Sequence, residues 1–309
     1  MLSVILYYIL MTLYPIFPWI GGKRVVRTKI IKYFPDPSEY DTYIEPFLGA
    51  GSLLLILAPS HALVNDLNPW VIMLWHLCSH HPEYVIKQFR KYTNNWKTDV
   101  SNYHALLDHF NRNHTKYTND VPISFQSNSK SCNCRPQLLH LAFAFFVLVK
   151  CSYGAKVFFD KNNVVKCHYG KKPFSSLVND NYLEVHSYLA NNRIIFHVGD
   201  YLKVFSKIRG EALIYMDPPY QATDLKNNVG KYHATKHFLD DDHVILKNTV
   251  DKLCKKHFIV QSNSCTPYVR KLYKEYRIVP LKVSRPLASM MKNRDENITS
   301  PNECLILNF

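Results

Sequence analysis

Residues 42–70, TYIEPFLGAGSLLLILAPSHALVNDLNPW, constrain the fold more than any other stretch of the chain. TYIE is a β-rich run, FLGAGS a glycine turn, SLLLILA a buried helix and ALVND a second strand, with another helix predicted from Asn68-Pro69. RIIFHV, ALIYM and HFIVQS supply further buried strands between residues 193 and 263. The segment between the last two reads as a helix, with Asp240, Asp241 and Asp242 in its first turn and Lys255, Lys256 and His257 at its end. Those signs suit the helix macrodipole. Alternating strands and helices predict an α/β protein with a doubly wound sheet.

Residues 85–185 break the alternation. They read as polar helices, a Ser- and Asn-rich loop (SFQSNSKSCNC), an apolar helix near 137–150 and a hairpin around Asp160 to Asn163. This segment holds 14 Lys plus Arg against 6 Asp plus Glu, a net of +8 out of +14 for the 309-residue chain. Such a bias predicts an inserted domain facing a polyanion, bound through phosphate neutralisation, with a solvated basic face as the alternative. Nucleic acid is the first candidate partner and an acidic membrane surface the second.

Eight cysteines are present, and only Cys132 and Cys134 lie close together. Reduced thiols of an intracellular protein are expected, with a zinc site joining that pair to Cys151, Cys167 or His168 as the alternative. Residues 2–20 are almost wholly apolar, but Pro15 and Pro18 interrupt them and neither a basic flank nor a small-residue cleavage site accompanies them. A soluble protein is expected, with this stretch as a buried strand or an extension upstream of Met11.

Several motifs carry chemistry. In FLGAGS, Gly49 and Gly51 let backbone approach a ligand at a helix N-terminus, where free N–H groups await an acceptor. Leu54 stands where a dinucleotide fingerprint needs its third glycine, so a nucleotide-type cofactor without a pyrophosphate cradle fits better. Asp66 ends the second strand, where an acid can accept both hydroxyls of a ribose or simply cap the next helix. WIGGK, residues 19–23, offers a second loop that contacts cofactor or a plain turn.

DPPY, residues 217–220, is the most specific of them. Two prolines end the strand and stiffen the turn, and a capped proline turn with no chemistry is the alternative reading. The Asp217 carboxylate and the Pro218 carbonyl can accept both hydrogens of an exocyclic amine on a flat base. That draws its nitrogen toward tetrahedral geometry and exposes the lone pair to an electrophile, while Tyr220 stacks on the ring. A base so held must first leave the duplex.

WIGGK, EPFLGAG, NDLN, GDY at 199–201 and DPPY, in that order, resemble the Dam-type (α-class, D12) DNA adenine N6-methyltransferases. QSNSCTPYVRKLY at 261–273 and the closing NECLILNF are similar to further segments of the family. The resemblance runs from about Trp19 to Phe309. It implies a Rossmann-like doubly wound mixed sheet of the S-adenosylmethionine-dependent methyltransferase fold. Residues 1–84 and 186–309 would form the catalytic domain. Residues 85–185 would be an inserted, mostly helical target-recognition domain carrying a β-hairpin.

It further implies that Trp19, Gly21, Lys23, Phe47, Gly49 and Gly51 line the S-adenosylmethionine site, that Asp66 takes the ribose, and that Asp200 and Tyr201 lie near the cofactor adenine. Asp217, Pro218, Pro219 and Tyr220 would hold the target adenine, with direct methyl transfer and no metal. Contacts to double-stranded DNA would come from Lys156, Lys166, His168, Lys171 and Lys172. An intracellular monomer or weak dimer is expected, with a restriction endonuclease as a partner in some settings. The family hairpin reads N-x-x-G-x-[FW]-N-x-P-[FY]-G. Here FDKNNVVKCHYG keeps its Tyr169-Gly170 end and places Lys166 and His168 at the Asn and Pro positions. The target therefore stays open between the family's common GATC and another site. Cytosine-N4 or RNA methylation, and a catalytically silent DNA-binding relative, are the rival readings. Cytosine-N4 enzymes usually carry Ser where Asp217 stands.

Overall fold

The computed structural model describes residues 13–95, 100–130, 134–171, 180–221, 238–283 and 303–309. Its strands are β1 (Thr42–Glu45), β2 (His61–Asp66), β3 (Ser124–Gln126), β4 (Ser152–Phe159), β5 (Val165–Tyr169), β6 (Arg193–Val198), β7 (Ala212–Met216), β8 (Phe258–Ser264), β9 (Arg277–Leu281) and β10 (Glu303–Leu307). Its helices are α1 (Arg27–Ile30), α2 (Ser52–Leu57), α3 (Pro69–His80), α4 (Pro82–Asn95), α5 (Val100–Tyr117), α6 (Pro136–Cys151), α7 (Asp180–Asn191), α8 (Leu202–Phe205), α9 (Asp240–Leu253) and α10 (Pro267–Leu272).

Eight strands form one mixed sheet in the order β3-β6-β2-β1-β7-β8-β10-β9. The central five, β6 to β8 across the sheet, run parallel, while β3 and β10 run antiparallel to their neighbours. Successive residues of these strands serve opposite faces. Tyr43, Val64, Leu213, Tyr215 and Leu305 join one buried cluster, whereas Ile44, Leu63, Ile214, Met216 and Ile306 join the other. That alternation, with every central strand covered on both sides, is the doubly wound arrangement the apolar runs predict. Strand order reverses between β1 and β7, so their C-terminal ends diverge around a crevice, the usual place for a ligand in such sheets.

Residues 85–185 are tied to this sheet in two ways. β3 pairs with β6 along its free edge, a connection that periodicity does not suggest because the strand is three residues long. Helix α6 is buried on nearly all sides, and its Phe145 meets Trp19, Trp70, Phe110 and Phe159. The hairpin β4–β5 lies on α5 and α6, with Ala155, Val157, Phe159, Val165 and Cys167 turned inward. By the same two-residue period Lys156, Lys166 and His168 face outward. Asp160 closes the turn by accepting from the amides of Asn162 and Val164, both at 2.9 Å. Asn163, at the place of the family's glycine, takes φ 60°, a conformation Asn tolerates better than most residues.

Some expectations change. Helix α9 ends at Leu253, and the amides of Lys256 and His257 both bond the Leu253 carbonyl, so Lys255, Lys256 and His257 lie in a turn beyond it. Lys252 is the base in its last turn. Cys151 and Cys167 are buried apart from Cys134, and the Cys167 thiol accepts from Tyr103 Oη at 3.1 Å. Among the described residues neither joins Cys134 in a metal-ligating group. Lys172, Cys132 and most of the apolar N-terminal stretch lie outside the described residues. Within them, Ile16 and Phe17 are buried and no helix is long and apolar enough to cross a membrane.

Candidate active site

The crevice is built from the loops after β1, β2, β6 and β7. Asn65, near the end of β2, ties these loops together: its amide donates to the carbonyls of Pro46 (3.0 Å) and Gly199 (2.9 Å), and its own carbonyl accepts from Leu48 N at 2.8 Å. Asp66 divides its carboxylate. Oδ2 accepts from Gly49 N and Oδ1 from Asn68 N, both at 2.8 Å. The cap of α3 is Asn68, accepting from Trp70 N at 3.0 Å, so capping is not what Asp66 supplies. Burial raises the Asp66 carboxyl to about 6 against the pull of those two amides.

Gly49 and Gly51 are required twice over. Both have positive φ, 50° and 61°. A Cβ on Gly49 would lie 2.9 Å from Trp19 Cδ1, and one on Gly51 only 2.6 Å from Trp75 Cζ2. The Trp75 indole also donates to Gly49 O at 3.1 Å. The loop is thus clamped between two indoles. The free amides expected at the start of α2 are partly satisfied within the protein, since Leu54 N donates to Glu45 Oε2 at 3.1 Å.

Asp217 follows the buried strand β7 and meets Lys23 from the WIGGK turn. Lys23 Nζ donates to Asp217 Oδ2 at 2.5 Å and to Gly21 O at 2.8 Å. Lys23 is only 4% exposed and the Asp217 side chain 18%, so this is a largely buried ion pair. The same ammonium sits 4.9 Å from the Tyr220 ring centroid, over its face. Tyr220 Oη donates to Glu303 Oε2 at 2.8 Å, which fixes the ring against the first residue of β10. Gln221, next along the chain, is held by Ser264 Oγ (3.1 Å) and Thr266 Oγ1 (2.9 Å) from the QSNSCT segment. Asn263 in that segment is fully buried, and its side-chain NH₂ finds no partner among the described residues.

Nearby, Phe47 packs on Tyr201 at 4.9 Å between ring centroids, and Phe238 approaches both at 6.3 Å. Asp200 is exposed and accepts from Leu202 N at 2.9 Å. The structure therefore joins Gly21, Lys23, Asp217 and Tyr220 in one group, and Trp19, Gly49 and Asp66 in a second. Phe47 and Tyr201 form a third with Phe238. The hairpin residues Lys156, Lys166 and His168 lie on a different element, with Lys171 just after it. Motif reading misses Glu303, Phe238, Asn263 and Glu45. Glu45, Asn263 and Glu303 sit inside quoted motifs, EPFLGAG, QSNS and NECLILNF, whereas nothing local marks Phe238.

The chain belongs to the family of D12 class N6 adenine-specific DNA methyltransferases, whose model matches residues 19–286. It is similar to a type II methyltransferase, M1.LlaDCHI, of Lactococcus lactis subsp. cremoris, with 24% identity over 91% of each chain. A DNA adenine methylase of Vibrio cholerae is 26% identical over 87% of this chain and 88% of its own. The DNA adenine methylase of Escherichia coli K12 is 21% identical over 88% of each.

Glu45 gives the site a measurable pH signature. Burial is the main cause that lifts its carboxyl from 4.5 to about 8; the Asp217 charge adds to this, while the Tyr43 hydroxyl, Leu54 amide and Lys23 oppose it. The folded state then keeps a proton that the unfolded chain has released, so stability falls as pH rises toward 8. Burial-lowered histidines such as His76, at about 3, act in the opposite direction until the unfolded chain has released their protons, about one unit above the ordinary histidine value of about 6.5. Between about pH 6.5 and 8 the urea stability of the wild type should fall more, or rise less, with pH than that of Glu45→Gln, because only the wild type loses the Glu45 proton in that window. Equal slopes in the two proteins would refute the assignment.

Proposed function

We propose that this enzyme moves a methyl group from S-adenosylmethionine to N6 of an adenine turned out of duplex DNA, at the end of β7. The observation that carries this reading is the Lys23–Asp217–Tyr220 group at the point where strand order reverses. A carboxylate offers about four acceptor positions. Lys23 neutralises the buried acid through Oδ2, and Asp217 accepts an amine hydrogen in addition. The Pro218 carbonyl accepts the second hydrogen. As the amine nitrogen gains positive charge, both acceptors stabilise it, and Tyr220, anchored through Glu303, stacks on the base.

The residues fit the donor. Asp66, already holding the glycine loop, has acceptor capacity for ribose hydroxyls, and Phe47, Tyr201 and Phe238 form an apolar aromatic wall suited to a purine. Trp19 and the clamped Gly49–Gly51 loop give that site a rigid floor. When bound, S-adenosylmethionine supplies an electrophilic sulfonium methyl. The protein's part is positioning, with no covalent enzyme intermediate and no metal at the chemistry. Residues 85–185 are the DNA-reading insert, presenting Lys156, Lys166 and His168 from one face of the hairpin and Lys171 from its end. Lys166 lies 3.8 Å from Asp160, a loose and exposed pair that a phosphate can displace.

The test is labelled methyl transfer to duplex DNA, followed by digestion to nucleosides. Label is expected in N6-methyladenine; label in N4-methylcytosine, or in RNA only, would overturn the proposal. Lys166→Gln with Lys171→Gln should weaken DNA binding and reduce its salt slope by about 2 if each meets a phosphate. An unchanged slope would remove the hairpin from the interface.

A further inference from the structure

At the C-terminal end of α3, three side chains of metal-ligating type converge. His76 and His81 come from that end of the helix and its C-cap, and Cys134 from the residues just before α6. One ligand atom of each lies within 4.8 Å of the other two. The Cys134 sulfur is 3.7 Å from His76 Nε2 and 3.9 Å from His76 Nδ1. In a tetrahedral zinc site with ordinary bond lengths, sulfur and nitrogen ligands stand about 3.6 Å apart, so the spacing already approaches that of a site. We propose that His76, His81 and Cys134 bind a zinc ion that fastens the catalytic helix α3 to the start of the recognition segment's apolar helix α6.

The chemistry of the donor set selects the metal. One thiolate and two imidazoles suit a borderline-soft ion with tetrahedral geometry, and carboxylate-preferring magnesium or calcium would reject it. Binding releases the Cys134 thiol proton to solvent, leaving a thiolate and two neutral imidazoles around the dication. The surroundings are ordered: His80 stacks on His76 at 4.8 Å between ring centroids, and Phe125 of β3 meets both rings edge-on at 4.8 and 5.4 Å. The ion would thus lie where α3, β3 and the N-terminal end of α6 meet. Trp75, the residue before His76, supports Gly49 and Gly51, so the same helix also braces the glycine loop.

The full-length protein, produced in zinc-supplemented medium and dialysed against metal-free buffer, should retain one zinc per chain by mass spectrometry of metals. After removal of zinc, cobalt(II) should restore a thiolate-to-cobalt charge-transfer absorption. Cys134→Ser should abolish that absorption, and His81→Ala should weaken zinc binding by more than about 100-fold, beyond the loss typical for outer-shell partners. Cys254→Ser, in a cysteine at the other side of the sheet that bonds Asp251 O, serves as a control and should keep both properties. Added zinc should raise the melting temperature of the wild type and the control but not of Cys134→Ser. Absence of stoichiometric zinc in the wild type, or a cobalt spectrum without thiolate character, overturns the proposal. So does a spectrum that survives in Cys134→Ser. The metal measurements require no methyl transfer, so failure here leaves the assignment of the active site standing.

Discussion

The buried pair of Lys23 and Asp217 is the interaction on which the site depends. It joins residues 194 positions apart, bringing the turn before β1 onto the end of β7. Glu45 lies close enough to feel both charges of the pair: Asp217 raises its carboxyl and Lys23 opposes that. With its carboxyl raised to about 8, Glu45 is mostly protonated at neutral pH, and that leaves Lys23 to balance Asp217. Removing one member of such a buried pair typically costs about 3–5 kcal/mol, because the other charge is left without compensation. On the proposed mechanism, catalytic geometry and local stability are therefore coupled through a single contact.

Around this pair the sheet supplies rigidity from a distance. The tetrapeptide NDLN divides its labour residue by residue. Asn65 ties the loops after β1 and β6, Asp66 holds the glycine loop, and Asn68 starts α3. Helix α3 then returns support through Trp75, which fills the space under Gly51. A flat ligand held beside such a loop meets a surface whose backbone is fixed from below, which is what catalysis by positioning requires.

Much of this is legible in the sequence. The strands TYIE, ALVND, RIIFHV and ALIYM stand out because parallel strands covered on both faces are short and almost wholly apolar. Their motifs stand out because turns after such strands have few residue choices, as in DPPY and FLGAGS. Relations across the fold escape such reading. Glu303 meets Tyr220 only because β10 inserts antiparallel between β8 and β9, and no local pattern reports that. Phe238 joins Phe47 and Tyr201 through tertiary packing alone. His76 and His81 approach Cys134 although they lie more than fifty residues upstream, a distance that the spacing of the cysteines does not report. The end of α9 is overrun for a simpler reason: a basic cluster beyond a helix looks the same as one inside it.

Asp217 is where the chemistry can be tested most directly. Single-turnover methyl transfer should be measured for Asp217→Ala and Asp217→Asn, with S-adenosylmethionine affinity determined on the same preparations as proof that the crevice is intact. Transfer should slow by at least about 100-fold in both, with cofactor affinity nearly that of the wild type. A variant that binds cofactor and transfers methyl at close to the wild-type rate would contradict the role given to this carboxylate.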